Sequence, residues 1–557
     1  MTCTRYGEYG YQSRSSKMAR GYSRGGYRGG ARRSSGGRSS ARRSSSSRSG
    51  ARPKGQIKSG KAVQYAIKSR RGATKYIGTT NNPSRRASEH KKTGKLGRGD
   101  KLVVQTRAIS RKSAERVEAA RLGSHRRQHG RNPRHNTTTD GKFHSPDCSR
   151  LGPPNGRDLM QPIALYVHIP FCETKCPYCD FNTYAKIESL IPDYVAALRT
   201  EIELWGGLLD GPPVRTIFFG GGTPSYLPSG DISALMATIS GSFTLQDDAE
   251  ITLEANPGDF TSDKLNDFLD AGINRLSIGV QSFDDGLLTL LGRRHTASDA
   301  VDAYRMAHGA RFDNVSIDLM YGLPHQTIDH WQKTLARTAE LHPPHVSLYA
   351  LTLEGGTPME HSVTQGTLPT PDPDLAADMY ALAEHDLGAL GYRHYEISNW
   401  ASDGKLGLHN IVYWRNEPYL GVGPGAHSSL ASHRFSNLKP PREYVRRLRG
   451  HSGSSGSLNG SREDDYAAIR SMPVVDTIEF IDRRLEMAET MMLGLRLDTG
   501  VSVSDFEARF GVSPIEVYRK ELAELQPTGL VETVDGSIRL TDRGRFLSNE
   551  VFVRFFD

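Results

Sequence analysis

Between residues 164 and 350 the chain carries six short runs rich in β-branched residues, ALYVHI, RTIFFG, EITLE, RLSIG, NVSID and HVSLYA, with helical patterns between them. This alternation restricts the fold more than any other feature. Strands separated by helices pair in parallel and need a crossover on the face of the sheet. The expectation is an α/β chain built on six parallel strands, either a partial barrel or an open sheet wrapped by helices. Most of these runs end in polar or glycine residues, and the C-terminal ends of such strands are where side chains converge on ligands.

At 557 residues the chain is too long for one ordinary core, so several domains are expected. Residues 1–60, with runs such as GYSRGGYRGGARRSSGG, have almost no aliphatic side chains and read as a disordered Arg/Gly/Ser-rich tail. Residues 61–140 hold two strand-like runs, VQYAI and KYIG, and a helical pattern, enough for a small α/β module. Residues 141–160 read as a linker, 161–375 as the barrel, and 376–480 as a further region interrupted by GHSGSSGSLNGS. Residues 481–557 alternate helical patterns with a strand pair around GLVETVDGSIRL, the pattern of a helical, winged module.

The formal charge of +10 hides a division: residues 1–150 carry 38 Lys and Arg against 7 Asp and Glu, and the remainder carries 34 against 55. A basic part suited to polyanions is joined to a mildly acidic body. Tyr22 and Tyr27 among the Arg-Gly-Gly repeats suit sequence-tolerant nucleic-acid contact, with a plain solvated tail as the alternative. No run of eighteen apolar residues and no secretory leader pattern occurs, so a cytoplasmic protein is expected.

Three of the five cysteines, Cys172, Cys176 and Cys179, lie in HIPFCETKCPYCDF, directly after the first barrel run. Four thiolates would close an iron–sulfur cluster or a zinc site, whereas three leave one metal corner without a protein ligand. The alternative is a zinc site that borrows Cys148 or a histidine. After the second run comes GGGTPS, in which Gly221 and Gly222 let the backbone approach a ligand and Thr223 can hydrogen-bond it.

The CxxxCxxC spacing on a loop after a first strand resembles the radical S-adenosylmethionine enzymes. That resemblance implies a [4Fe-4S] cluster held by Cys172, Cys176 and Cys179, with S-adenosylmethionine on the fourth iron and an electron donor that reduces the cluster. Residues 160–557 resemble, more narrowly, the oxygen-independent coproporphyrinogen III oxidases and their HemW relatives. This implies a TIM-like radical SAM barrel and cofactor contacts from Tyr166, Tyr178, Gly221, Gly222, Thr223, Glu254, Gln281, Arg293 and Asp318. A carboxylate such as Glu254 or Asp318 suits ribose hydroxyls, and Arg293 can answer the cofactor carboxylate with paired donors.

In the decarboxylating oxidases a fourth cysteine follows, and here that position is Phe181. Asp180-Phe181 is similar to the heme-chaperone branch, as is HNIVYW from His409 to Trp414. The resemblance implies heme contact by His409, Asn410, Tyr413 and Trp414, with heme passed to acceptor hemoproteins. His409 could ligate iron and the two aromatic rings could face a porphyrin. The other reading keeps Tyr413 and Trp414 as core anchors. Decarboxylation of coproporphyrinogen is the alternative activity, and the C-terminal module could dock a membrane or a partner.

The segment from Tyr65 to Tyr76 and on to His90 resembles a GIY-YIG nuclease domain over residues 61–140. Tyr76 would help activate water, Arg86 would oppose charge on a phosphate, and Glu118 would hold Mg2+. A binding module without cleavage is the alternative.

Overall fold

The computed structural model describes residues 161–451, 458 and 461–556 fully, and before them the backbone of four short strands. The chain divides into two compact units, one of them Arg14–Gly152. In that unit β1 (Lys61–Lys68) pairs antiparallel with β2 (Thr74–Thr80), β3 (Lys101–Val104) and β4 (Ile109–Ser110). The VQYAI and KYIG runs are therefore strands of one small sheet, with Tyr76 opposite Ile67. Arg86, Glu118 and the helix expected around Glu118 lie outside the described residues.

In the other unit all six expected runs are strands: β5 (Ile163–Ile169), β6 (Pro213–Gly221), β7 (Thr244–Ala255), β8 (Arg275–Gln281), β9 (Val315–Tyr321) and β10 (His345–Ala350). Each pairs in parallel with the next. Every residue of β5 and β9 is buried, as a sheet covered on both faces requires. Helices Ile191–Leu209, Ser229–Ser242, Ala297–Gly309 and Ile328–Leu341 make crossovers and bury Tyr194, Leu198, Trp205, Leu235 and Trp331 against the strands. Thr296 and Thr327 start two of these helices with reciprocal capping boxes.

The sheet extends at both edges. The strands β11 (Arg393–Glu396) and β12 (Asn399–Ala401) continue it beside β10. On the other side β13 (Tyr419–Val422) pairs in parallel with β5, followed by β14 (His427–Leu430), β15 (His433–Asn437) and β16 (Val475–Phe480). The barrel is thus partial, the middle of a twelve-stranded sheet, and the described strands between Arg393 and Phe480 share that sheet.

Residues from Arg483 onward form the expected helical, winged module. Helices Arg483–Gly494 and Val503–Phe510 pack with β17 (Val501–Ser502), β18 (Val531–Val534) and β19 (Ser537–Leu540) around Met491, Phe506, Ile538 and Val551. Among the described residues no helix is long and apolar enough to cross a membrane.

Candidate metal and cofactor site

The cysteine loop leaves the C-terminal end of β5 and is drawn back onto itself. Cys172 N donates to Tyr184 O at 3.0 Å, Tyr184 N to Pro170 O at 2.8 Å, and Cys179 N to Cys176 O at 3.1 Å. Inside the loop Lys175 Nζ donates to the carbonyls of Phe181 and Thr183, at 3.0 and 3.2 Å. From outside, Asn182 Nδ2 donates to Pro424 O and Lys439 O at 2.8 and 2.9 Å, which ties the loop to the β13 side of the sheet.

His168 fixes the base of this loop. It is fully buried, with Nε2 3.0 Å from Asn182 O and Nδ1 3.0 Å from Tyr166 Oη. The carbonyl can only accept, so Nε2 carries the proton and Nδ1 accepts from the phenol. Burial pushes the imidazole down to about 4, so it is neutral at physiological pH.

The glycines at the end of β6 and just beyond it are needed for close approach. Gly221 has φ of +110°, and a Cβ there would fall 2.5 Å from the His168 ring. A Cβ on Gly222 would sit 2.6 Å from Phe171 O and 3.1 Å from Cys172 Sγ. Gly222 N and Thr223 N donate to Ile169 O and Phe171 O at 2.7 and 2.8 Å, so the cysteine loop and the glycine run form one surface.

All three thiols line a cleft that opens to solvent at the strand ends. Thr223 Oγ1 donates to Cys172 Sγ at 3.5 Å, Arg293 Nη1 to Cys176 Sγ at 3.6 Å, and Thr183 Oγ1 lies 3.9 Å from Cys179 Sγ. Burial pushes the Cys172 thiol up to about 11 and raises that of Cys179, so binding a metal there must expel protons. Phe181 lines the cleft as an apolar wall.

Tyr178, Gly221, Gly222, Thr223, Glu254, Gln281, Arg293 and Asp318 all border the same cleft. Glu254 accepts from Gly221 N at 3.1 Å. Asp318 accepts from Ser277 Oγ at 2.8 Å and Ser316 Oγ at 3.1 Å, while burial raises its carboxyl above the usual range. Arg293 Nη2 donates to Gly279 O at 2.8 Å and to Asn256 Oδ1. Tyr166 is placed differently: its ring is 2% exposed, packs on Phe218 and Ala426, and does not line the cleft. Asn256, which donates to Thr223 Oγ1 at 3.0 Å, escaped the sequence reading, as did Ser277 and Thr183. No local pattern marks them, because their role arises only when strand ends meet.

The residues fit a cluster with a polar ligand beside it. Gln281 Oε1 and Arg293 Nε are buried without a hydrogen-bond partner, and Gln281 holds φ of +67°. Unpaired groups of this kind at a strained position mark a surface shaped for a polar guest. Among the described residues no three His, Cys, Asp or Glu side chains converge as ligands of one ion. In a cubane each cysteine takes a different iron, so such convergence is not required.

The HNIVYW segment forms the helix Leu408–Trp414, away from the cleft lining. His409 is 1% exposed; Nδ1 lies 2.9 Å from Thr216 Oγ1 and Nε2 2.8 Å from Tyr413 Oη. Burial lowers it to about 3. Tyr413 and Trp414 are buried, with the Arg496 guanidinium 4.2 Å above the Trp414 ring.

A model of the Radical SAM superfamily matches residues 166–338, and one of the HemN C-terminal domain matches 481–547. The heme chaperone HemW of Bacillus subtilis (strain 168) is 36% identical over 391 residues, spanning 70% of this chain and 98% of that protein. The chain belongs to the HemW family. The HemW protein of Lactococcus lactis is 35% identical, covering 71% of this chain and 98% of its own. A mitochondrial radical S-adenosyl methionine domain-containing protein 1 of Mus musculus is 37% identical over 69% of this chain and 86% of its own. Among solved structures, the HemN coproporphyrinogen III oxidase of Escherichia coli superposes with a TM-score of 0.61 at 25% identity, over 72% of this chain and 91% of that one. Membership of the radical SAM superfamily implies a [4Fe-4S] cluster and S-adenosylmethionine, and the cleft is where such groups fit.

Proposed function

We propose that this HemW-family chain binds a [4Fe-4S] cluster through Cys172, Cys176 and Cys179, binds S-adenosylmethionine beside it, and carries heme to acceptor hemoproteins. The observation that carries this reading is the 36% identity across 98% of a heme chaperone HemW. Phe181 in place of a fourth cysteine agrees with it.

In this reading Gly221, Gly222 and Thr223 receive the cofactor's amino group and Arg293 its carboxylate. Glu254 and Asp318 serve the ribose hydroxyls, Gln281 and Tyr178 complete the wall, and Tyr166 acts from behind through His168. The cluster supplies low-potential electrons to the sulfonium when both are bound. Phe181 and buried Tyr178 limit water at the thiolates. His409, Asn410, Tyr413 and Trp414 are the proposed heme-facing residues. Iron ligation by His409 therefore requires release from Thr216 or Tyr413.

The experiment is heme titration of anaerobically reconstituted protein, followed by transfer to an apo-hemoprotein. Stoichiometric heme binding with transfer supports the reading, and a protein that takes up no heme refutes it. The likeness to the Escherichia coli oxidase favours a second reading, coproporphyrinogen III decarboxylation. Loss of carboxyl groups from that substrate, given cofactor and reductant, would establish it. For the basic N-terminal part the reading is nucleic-acid contact, with or without Mg2+-dependent cleavage. Plasmid retention and nicking by the full chain, with Glu118→Ala alongside, distinguish the two.

A further inference from the structure

Below the cleft the barrel interior is polar where a purely apolar filling would be ordinary. Asp318 Oδ1 accepts from Ser316 Oγ at 3.1 Å, and Ser316 Oγ lies 2.8 Å from His345 Nδ1. His345 Nε2 lies 2.9 Å from Tyr395 Oη, and Tyr395 Oη accepts from Gly407 N at 3.1 Å. Gly407 is the residue before the helix Leu408–Trp414. The string therefore joins the cleft carboxylate to the start of the HNIVYW helix. Ser316, His345 and Tyr395 are at most 1% exposed, so no water competes for these groups.

Both ends of the string fix its polarity. Asp318 accepts at Oδ1 from Ser316 and at Oδ2 from Ser277, so the Ser316 hydroxyl proton points at it. Ser316 Oγ must then accept from His345, which places the imidazole proton on Nδ1. Nε2 is left with a lone pair and accepts from the Tyr395 phenol. At the far end Gly407 N–H can only donate, which agrees. Every donation runs toward Asp318. Ser347 Oγ, 3.2 Å from Ser316 Oγ, joins the same node. Burial, with the Arg275 charge nearby, holds His345 neutral, so it can keep this one-donor, one-acceptor form.

We propose that His345 is a positioning residue of the cofactor site, orienting the Asp318 carboxylate through Ser316 and linking it through Tyr395 to the HNIVYW helix. This rests on the reading that the cleft takes S-adenosylmethionine. The inference differs from ordinary core packing in one chemical requirement: position 345 must donate from the Nδ1 side. Asparagine can meet that requirement, since its amide nitrogen lies near the place of Nδ1, whereas leucine of similar size cannot.

The test is equilibrium binding of S-adenosylmethionine to full-length, anaerobically reconstituted wild type, His345→Leu, His345→Asn and Ser316→Ala, each with its iron content measured. Loss of one oriented hydrogen bond to a buried carboxylate weakens binding by about tenfold in His345→Leu and Ser316→Ala. His345→Asn should recover to within about threefold of wild type. Wild-type affinity in all three variants, or an Asn variant as weak as Leu, would overturn the inference and leave the cofactor reading intact. If His345→Leu fails to fold, Ser316→Ala decides: wild-type affinity there overturns it. A cluster-loaded wild type that does not bind S-adenosylmethionine removes the cofactor reading, and the inference with it.

Discussion

The hydroxyl of Thr223 donates to Cys172 Sγ at 3.5 Å across 51 residues of sequence, joining the glycine run to the cysteine loop. A hydrogen bond to a cluster thiolate favours the reduced, more negative state. Thr223→Val should retain the cluster and lower its reduction potential by on the order of 40 mV, the one-electron equivalent of about 1 kcal/mol. Potentiometric titration followed by electron paramagnetic resonance reads this, and an unchanged potential would deny the bond a role.

Gly222 faces a harder limit, because a Cβ there would press on Phe171 O at 2.6 Å and Cys172 Sγ at 3.1 Å. Both obstacles belong to the cluster loop itself. Gly222→Ala should fold but hold less than about half the wild-type iron, since backbone atoms rarely yield that far. Gly230, with open space around it, is the control and should tolerate alanine with iron unchanged.

The six parallel strands were legible because each is a short run rich in β-branched or apolar residues, flanked by helical spacing. The edges were not. Tyr419–Val422 has four residues and takes its place from pairing with β5, some 250 positions earlier, which no local period announces. The site divides in the same way. The cysteines and glycines lie on loops whose spacing carries the chemistry, whereas His168 acts through the carbonyl of Asn182 and Asn256 through a threonine on a neighbouring strand end. Tyr166 and His409 were recognisable as motif residues, but a motif does not disclose that a ring is packed behind the cleft or that both imidazole nitrogens are taken.

Glu201, on helix Ile191–Leu209, is fully buried and accepts from Gly423 N and Asn437 Nδ2, both at 2.7 Å, and from Tyr444 Oη. These partners come from the β13 side of the sheet. Glu201→Leu strands several buried donors at roughly 1–3 kcal/mol each, so it should destabilise the protein by more than about 3 kcal/mol. Glu201→Gln keeps an acceptor oxygen and should lose less. Denaturant unfolding compares them, and equal losses would contradict the bonding pattern.

Burial holds His168 and His295 near 4 and His409 near 3, below the 6.5 of a free imidazole. The unfolded chain then binds more protons than the folded one once the pH drops below about 6.5, so these groups remove stability as pH falls from there toward 4. Glu201 and Asp318, raised by burial, act in the opposite sense. The comparison therefore uses wild type and His409→Gln: the thermal midpoint of the variant should fall less between pH 7 and 5. Parallel curves would show that His409 is not held neutral.

The central claim is that three thiolates hold a cubane whose remaining iron is open to a small ligand. Mössbauer and electron paramagnetic resonance spectra of the anaerobic protein, recorded before and after S-adenosylmethionine, test it directly. The account predicts about four irons and four sulfides per chain, absent in Cys172→Ala, with one iron site changing its parameters when the cofactor is added. Zinc in place of iron, or four iron sites indifferent to the cofactor, would contradict it.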